Sequence, residues 1–138
     1  MKNIHTNISQ KTLEDKKRYR DEIDLLRGRL NLLDGKDKVL ITMYLENGNS
    51  FRQIARLTGI SDTSIARRIN GLTKRLLDSQ YIICLRNRDK FTREQMTIAK
   101  DYFLTGMSMR EIAIKRHWSF YHVRETLKKI QTILKDSG

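Results

Sequence analysis

The stretch KRHWSFYHVR, residues 115–124, gathers His117, Trp118, Phe120, Tyr121 and His122 into ten positions. Such a set can bind a metal, move a proton, stack on bases or pack a core. Zinc needs three or four nitrogen, sulfur or carboxylate ligands at compatible spacing. Here two histidines stand across a short turn without a cysteine, and His5 lies far upstream. No series of nucleophile, base and orienting group is visible, and Glu125 beside His122 is an ordinary helical neighbour. The pattern therefore predicts no catalytic residues, no metal and no cofactor. Phe120 and Tyr121 are the right types to stack on single-stranded bases, but that mode uses an open sheet or groove, which a helical chain does not offer.

The composition indicates what must position these side chains. Lys and Arg number 28 against 16 Asp and Glu, a formal charge of +12, which points to a polyanionic partner. Proline is absent, so helices can run unbroken, and an all-α fold is predicted. The single cysteine, Cys84 in YIICL, supports neither an internal disulfide nor a cysteine ligand set, and reads as a packed apolar thiol in a reducing compartment. No apolar run reaches membrane-spanning length, and MKNIHTNISQ lacks the apolar segment of a signal peptide. The expectation is a cytoplasmic, nucleoid-associated protein with no membrane partner.

Sliding the chain by 58 residues, the separation of Ser50 and Ser108, reveals an internal repeat. Tyr44/Tyr102, Gly48/Gly106, Ser50/Ser108, Arg52/Arg110, Ile54/Ile112, Ala55/Ala113 and Ser61/Ser119 are identical, and apolar positions such as Leu40/Ile98, Ile65/Val123 and Ile69/Leu127 keep register. Ser50 with Gln53, and Ser108 with Glu111, are capping boxes that open a helix. Gly48 and Gly106 suit the left-handed residue that closes the helix before, and Asp34 and Thr92 are expected to cap that helix. Ser61 and Ser119 open a third. The prediction is a tandem of two tri-helical helix-turn-helix units, residues 34–80 and 91–138. An amphipathic helix precedes them within residues 1–33, with Leu13, Tyr19, Ile23, Leu26, Leu30 and Leu33 on its apolar side. Residues 81–90 are expected to form a short extended linker packed on the first unit.

In SFRQIARLTGISDTSIARRI each fixed position has a physical role. Ala55 lets two helices cross closely, Gly59 takes a positive φ, Ile60 is expected in the core, and Ile65 and Ile69 hold the third helix down. Asp62, Thr63, Ser64, Arg67, Arg68, Asn70, Lys74 and Arg75 remain outward, with Ser61 at the cap. A protruding helix with such a face suits a major groove, where arginine reads guanine, asparagine reads adenine, and serine, threonine and helix amides hold phosphates. In the second copy His117 takes the place of Gly59, at a position where histidine tolerates positive φ, and Trp118 takes that of Ile60 as a core plug. Ser119 is the cap, one of Phe120 and Tyr121 is expected to pack inward, and Tyr121, His122, Arg124, Lys128 and Lys129 are candidate contacts, with Arg110 matching Arg52.

The run SFRQIARLTGISDTSIARRINGLTKRLLD resembles the C-terminal DNA-binding domain, region 4, of bacterial sigma factors. The likeness lies in Ser50-Phe51-Arg52, the Gly59-Ile60-Ser61 turn and the basic end Lys74-Arg75-Leu76; it covers residues 34 to 79 well and 92 to 134 more loosely. It implies that Arg52, Thr63, Ser64, Arg67 and Arg68 face DNA. The residues before the first unit are too few for the sigma domain that melts promoters, so a complete initiating sigma factor is not expected. The favoured expectation is a double-stranded DNA-binding regulator of bacterial or phage transcription. The alternatives are a module that docks on RNA polymerase or another regulator through the aromatic second unit, and a DNA-binding accessory of a recombinase, terminase or homing enzyme. The N-terminal helix could pair with a second copy.

Overall fold

The computed structural model describes the backbone of residues 2–78 and 80–137, and side chains from Leu13 onward within those segments. The fold is all-α, and no strand occurs among the described residues. Helices run α1 (Lys2–Arg29), α2 (Gly35–Leu45), α3 (Phe51–Thr58), α4 (Asp62–Leu77), α5 (Gln80–Arg86), α6 (Arg93–Ala99), α7 (Met109–Arg116) and α8 (Phe120–Ser137), with a π-helical segment, Lys100–Leu104, continuing α6. No helix among the described residues is long and apolar enough to cross a membrane.

Positions 58 residues apart share backbone chemistry at several caps and turns. Ser50 and Ser108 each cap a helix in a complete capping box, with Gln53 and Glu111 answering. Thr92 does the same with Gln95. Gly48, Gly59 and Gly106 have φ of 67°, 75° and 79°, and His117, at the position matching Gly59, has φ 59°. Asp34 stands at the cap of α2 but makes no side-chain capping bond. Its carboxylate instead meets Lys100 Nζ at 2.8 Å, and that hydrogen bond and charge hold it below its ordinary range.

One buried apolar cluster runs through both copies. Ile41, Ile54, Ile65, Ile69 and Leu72 fill the first part, while Ile98, Leu104, Ile112, Val123 and Ile130 fill the second. Burying side chains of this size contributes about 1.5–3 kcal/mol each, which is why the apolar register survives between copies that share few identities. Leu26 and Leu33 join the core, whereas Leu13 and Tyr19 of the expected stripe are exposed. The C-terminal part of α1 is also tied by Arg29, whose Nη1 donates to the Leu76 carbonyl at 2.6 Å. A cation there satisfies an orphan carbonyl and matches the negative end of α4.

Residues 81–90 are not an extended linker. Tyr81 and Cys84 are buried one helical turn apart on α5, which packs on α6, α8 and the π-helical segment, against the second copy. Tertiary burial at helical spacing overrides the β preference of the run YIICL. Cys84 is enclosed, and desolvation pushes its thiol up to about 11 from 9.0. The unfolded thiol therefore ionises first: its contribution to stability is intact below pH 9 and is lost as pH rises through 11. At pH 8, iodoacetamide is expected to label Cys84 only at the rate of unfolding; rapid labelling of the native protein would contradict this packing.

Candidate nucleic-acid interface

Helix α4 has two distinct sides. Ile65, Ile69, Leu72 and Leu76 are buried, while Asp62, Thr63, Ser64, Arg67, Asn70 and Lys74 are exposed. At its start the Ser61 hydroxyl accepts the Ser64 amide at 3.3 Å and donates to Ser64 Oγ at 3.0 Å. Arg52 on α3 lies 3.9 Å from the Asp62 carboxylate across the turn. Arg67 and Lys74 enter no ion pair among the described residues.

Two arginines expected on that face are engaged elsewhere. Arg68 is bidentate to Asp37 on α2, at 2.9 and 2.7 Å. Arg75 donates from Nε to the Leu104 carbonyl at 2.9 Å and from Nη2 to the Thr105 carbonyl at 3.2 Å. The cause is helical geometry: each follows an outward cation by one residue, hence by about 100° around the axis. That rotation aims Arg68 at α2 and Arg75 at the second copy, where it closes the carbonyl end of the π-helical segment.

The corresponding surface of α8 is chemically different. Ser119 caps it by accepting the His122 amide at 3.0 Å. The His122 imidazole bonds the Glu94 carboxylate on α6 and meets Trp118 edge-on, ring centroids 5.8 Å apart. Trp118 is half-buried against the core rather than enclosed as a plug. Phe120 and Tyr121 are both exposed, so neither packs inward; the Arg124 guanidinium stands 5.6 Å from the Tyr121 ring centre. Glu125 lies 3.7 Å from Arg124 Nε and 3.2 Å from Lys128 Nζ. Lys129 and Arg110 are exposed. On α8, Arg124 and Lys128 thus share Glu125, while on α4 Arg68 is paired with Asp37 and Arg67 and Lys74 have no acidic partner among the described residues.

No family model, curated protein or solved structure matches the chain.

Ile60 is 43% exposed, not buried, and Val39 on α2 is 57% exposed. Together with Leu40, Ile65 and the stem of Arg68 they line an open groove of about 1000 Å³. The turn accounts for the difference: the Ile60 amide bonds Thr58 Oγ1 at 3.3 Å, and Gly59 carries the chain outward through its positive φ. An isoleucine at that point is too short to cover Val39. In the second copy the larger Trp118 holds the matching position, with the His122 ring, which bonds Glu94, beside it.

The structure also brings together residues that sequence patterning did not select. Asp101 is 2% exposed, with its two oxygens bonded to Arg116 at 2.9 and 3.0 Å and Lys115 Nζ at 3.8 Å. This pairing pushes the Arg116 guanidinium above its ordinary value. The only signal in the sequence was an acidic residue about one helical turn after Ile98, on an otherwise apolar side. Among the described residues, no group of three or more His, Cys, Asp or Glu side chains is arranged to hold a metal.

Proposed function

We propose that this chain is a double-stranded DNA-binding protein, a bacterial or phage transcriptional regulator acting in the cytoplasm at the nucleoid, in which α3 and α4 form a helix-turn-helix and α4 enters the major groove. The observation that carries this reading is the exposed row Thr63, Ser64, Arg67, Asn70 and Lys74, whose two cations have no acidic partner among the described residues. Solvated cations on an exposed helix face gain by releasing counterions from DNA. Arg67 and Asn70 supply bidentate base-reading groups, and the capped start of α4 offers amides and hydroxyls to phosphate. Helix α8 makes a secondary contact through Lys128, Lys129, Arg124 and Tyr121, because Glu125 already offsets part of its charge. Arg52 and Arg110 flank the two faces.

Fluorescence anisotropy with random duplex DNA tests this division of labour. Arg67→Ala/Lys74→Ala is expected to weaken binding at low salt by about tenfold or more and to reduce the salt slope by roughly 2, at about 0.9 for each phosphate no longer neutralised. Lys128→Ala/Lys129→Ala is expected to do less. Equal effects would make the two helices equal contributors, and reversed effects would move the principal contact to α8.

A second reading rests on the groove between Val39 and Ile60. Exposed apolar surface in a walled depression suits a protein side chain more than a nucleic acid, so contact with RNA polymerase or another regulator belongs to the first copy rather than to the aromatic second one.

A further inference from the structure

Between α4 and the loop after the π-helical segment lies a cleft of about 260 Å³ lined by Ser64, Arg67, Arg68, Gly71, Arg75 and Gly106. Three guanidinium groups border it, and among the described residues only Arg68 has a carboxylate partner, Asp37. Arg75 spends Nε and Nη2 on neutral carbonyls, and its Nη1 lies beside both glycines. A methyl group at Gly71 would stand 3.1 Å from Nη1, and one at Gly106 would stand 2.6 Å from it. Glycine inside a helix is unfavourable, so Gly71 has a local reason: it leaves room for this guanidinium and opens the cleft wall. Burial, then the charge of Arg68, lowers the Arg75 pKa from its ordinary value, as expected of a cation without a matching anion. The neighbouring cleft differs. There Lys36, Lys100, Lys115 and Arg116 face Asp34, Asp37 and Asp101, so acids are at hand.

We propose that the seam between the two copies is a phosphate-binding site, in which Arg67 and Arg75 hold one phosphate group in this cleft beside Ser64. Guanidinium forks match phosphate oxygens bidentately, and Gly71 and Gly106 leave the room in which the Arg75 guanidinium sits at the cleft. The phosphate can come from a DNA strand passing over α4 or from a free phosphorylated small molecule. In the first case the site extends the DNA reading and fixes how both copies sit on one duplex.

The test uses the full chain and inorganic tripolyphosphate, followed by titration calorimetry, with competition by duplex DNA. Wild type is expected to bind tripolyphosphate, and Arg67→Gln and Gly71→Leu to weaken it at least tenfold. Lys16→Gln/Lys17→Gln, on the exposed surface of α1, is expected to leave it unchanged. Arg67→Gln removes an exposed side chain, so its result stands even if Gly71→Leu does not fold. Competition with DNA would assign the site to the strand, and simultaneous binding would assign it to a free ligand; both support the site. Unchanged tripolyphosphate affinity in Arg67→Gln, or equal loss in the Lys16/Lys17 variant, overturns it. Duplex binding that persists alongside that outcome leaves the DNA reading intact, whereas cleft-dependent tripolyphosphate binding without duplex binding refutes the DNA reading alone.

Discussion

Asp101→Ala is expected to destabilise the protein by about 3 kcal/mol, the lower end of the range for breaking a buried ion pair. The carboxylate is 2% exposed and bonds both donors of the Arg116 fork. Alanine would leave that guanidinium facing a polar hole at the junction of α7 and the π-helical segment. Because the Arg116 side chain keeps 33% exposure, water can recover part of its solvation, which places the effect at the low end. A loss of this size is still large against a total of about 5–15 kcal/mol. Asp101→Leu/Arg116→Met is expected to recover most of it, since removing both charges removes the desolvation cost as well. Urea denaturation would show a lower midpoint at unchanged slope for the single variant. A shift below about 0.5 kcal/mol would mean the pair behaves like an exposed one.

The second large effect concerns sequence preference. Arg67 and Asn70 are exposed one turn apart on α4 and are of the types that read guanine and adenine edges. Each good bidentate contact is worth about 1–3 kcal/mol of discrimination. Selection from a random duplex pool is therefore expected to yield a defined motif for the wild type, and Arg67→Ala and Asn70→Ala each to relax one position of it. Lys74→Ala is expected to weaken all sequences alike and to leave the motif intact, as a phosphate contact should. A motif that survives Arg67→Ala/Asn70→Ala would place base reading elsewhere.

The parts of the fold that depend on local chemistry were legible in the sequence. Serine and threonine with a glutamine or glutamate three residues on became capping boxes, and the positive-φ positions at Gly48, Gly59, Gly106 and even His117 are where the repeat put them. The outward row on α4 follows from the same periodicity. What the sequence did not yield depends on contacts between elements. Arg68 and Arg67 look alike on paper, yet only one faces Asp37. The repeat hid the two bidentate pairs, because Asp37 aligns with Gln95, Arg68 with Thr126, Asp101 with Met43 and Arg116 with Thr58. One pair joins α2 to α4 in the first copy, and the other joins the π-helical segment to α7 in the second. Ile60 and Trp118 share a position, but a difference in side-chain size leaves a groove in one copy and places an indole, with His122 beside it, in the other. Helix α5 (Gln80–Arg86) was not announced by its sequence, because apolar runs this short carry no decisive period.

Amide chemical-shift mapping with a random duplex of about two helical turns tests most directly whether α4 is the surface that meets DNA. The largest shifts are predicted at Ser64, Arg67, Asn70, Gly71 and Lys74, with smaller ones at Lys128 and Lys129 and little change at Val39 and Ile60. Shifts confined to the Val39 and Ile60 groove, or none at low salt, would contradict the proposal that this chain binds DNA through α4.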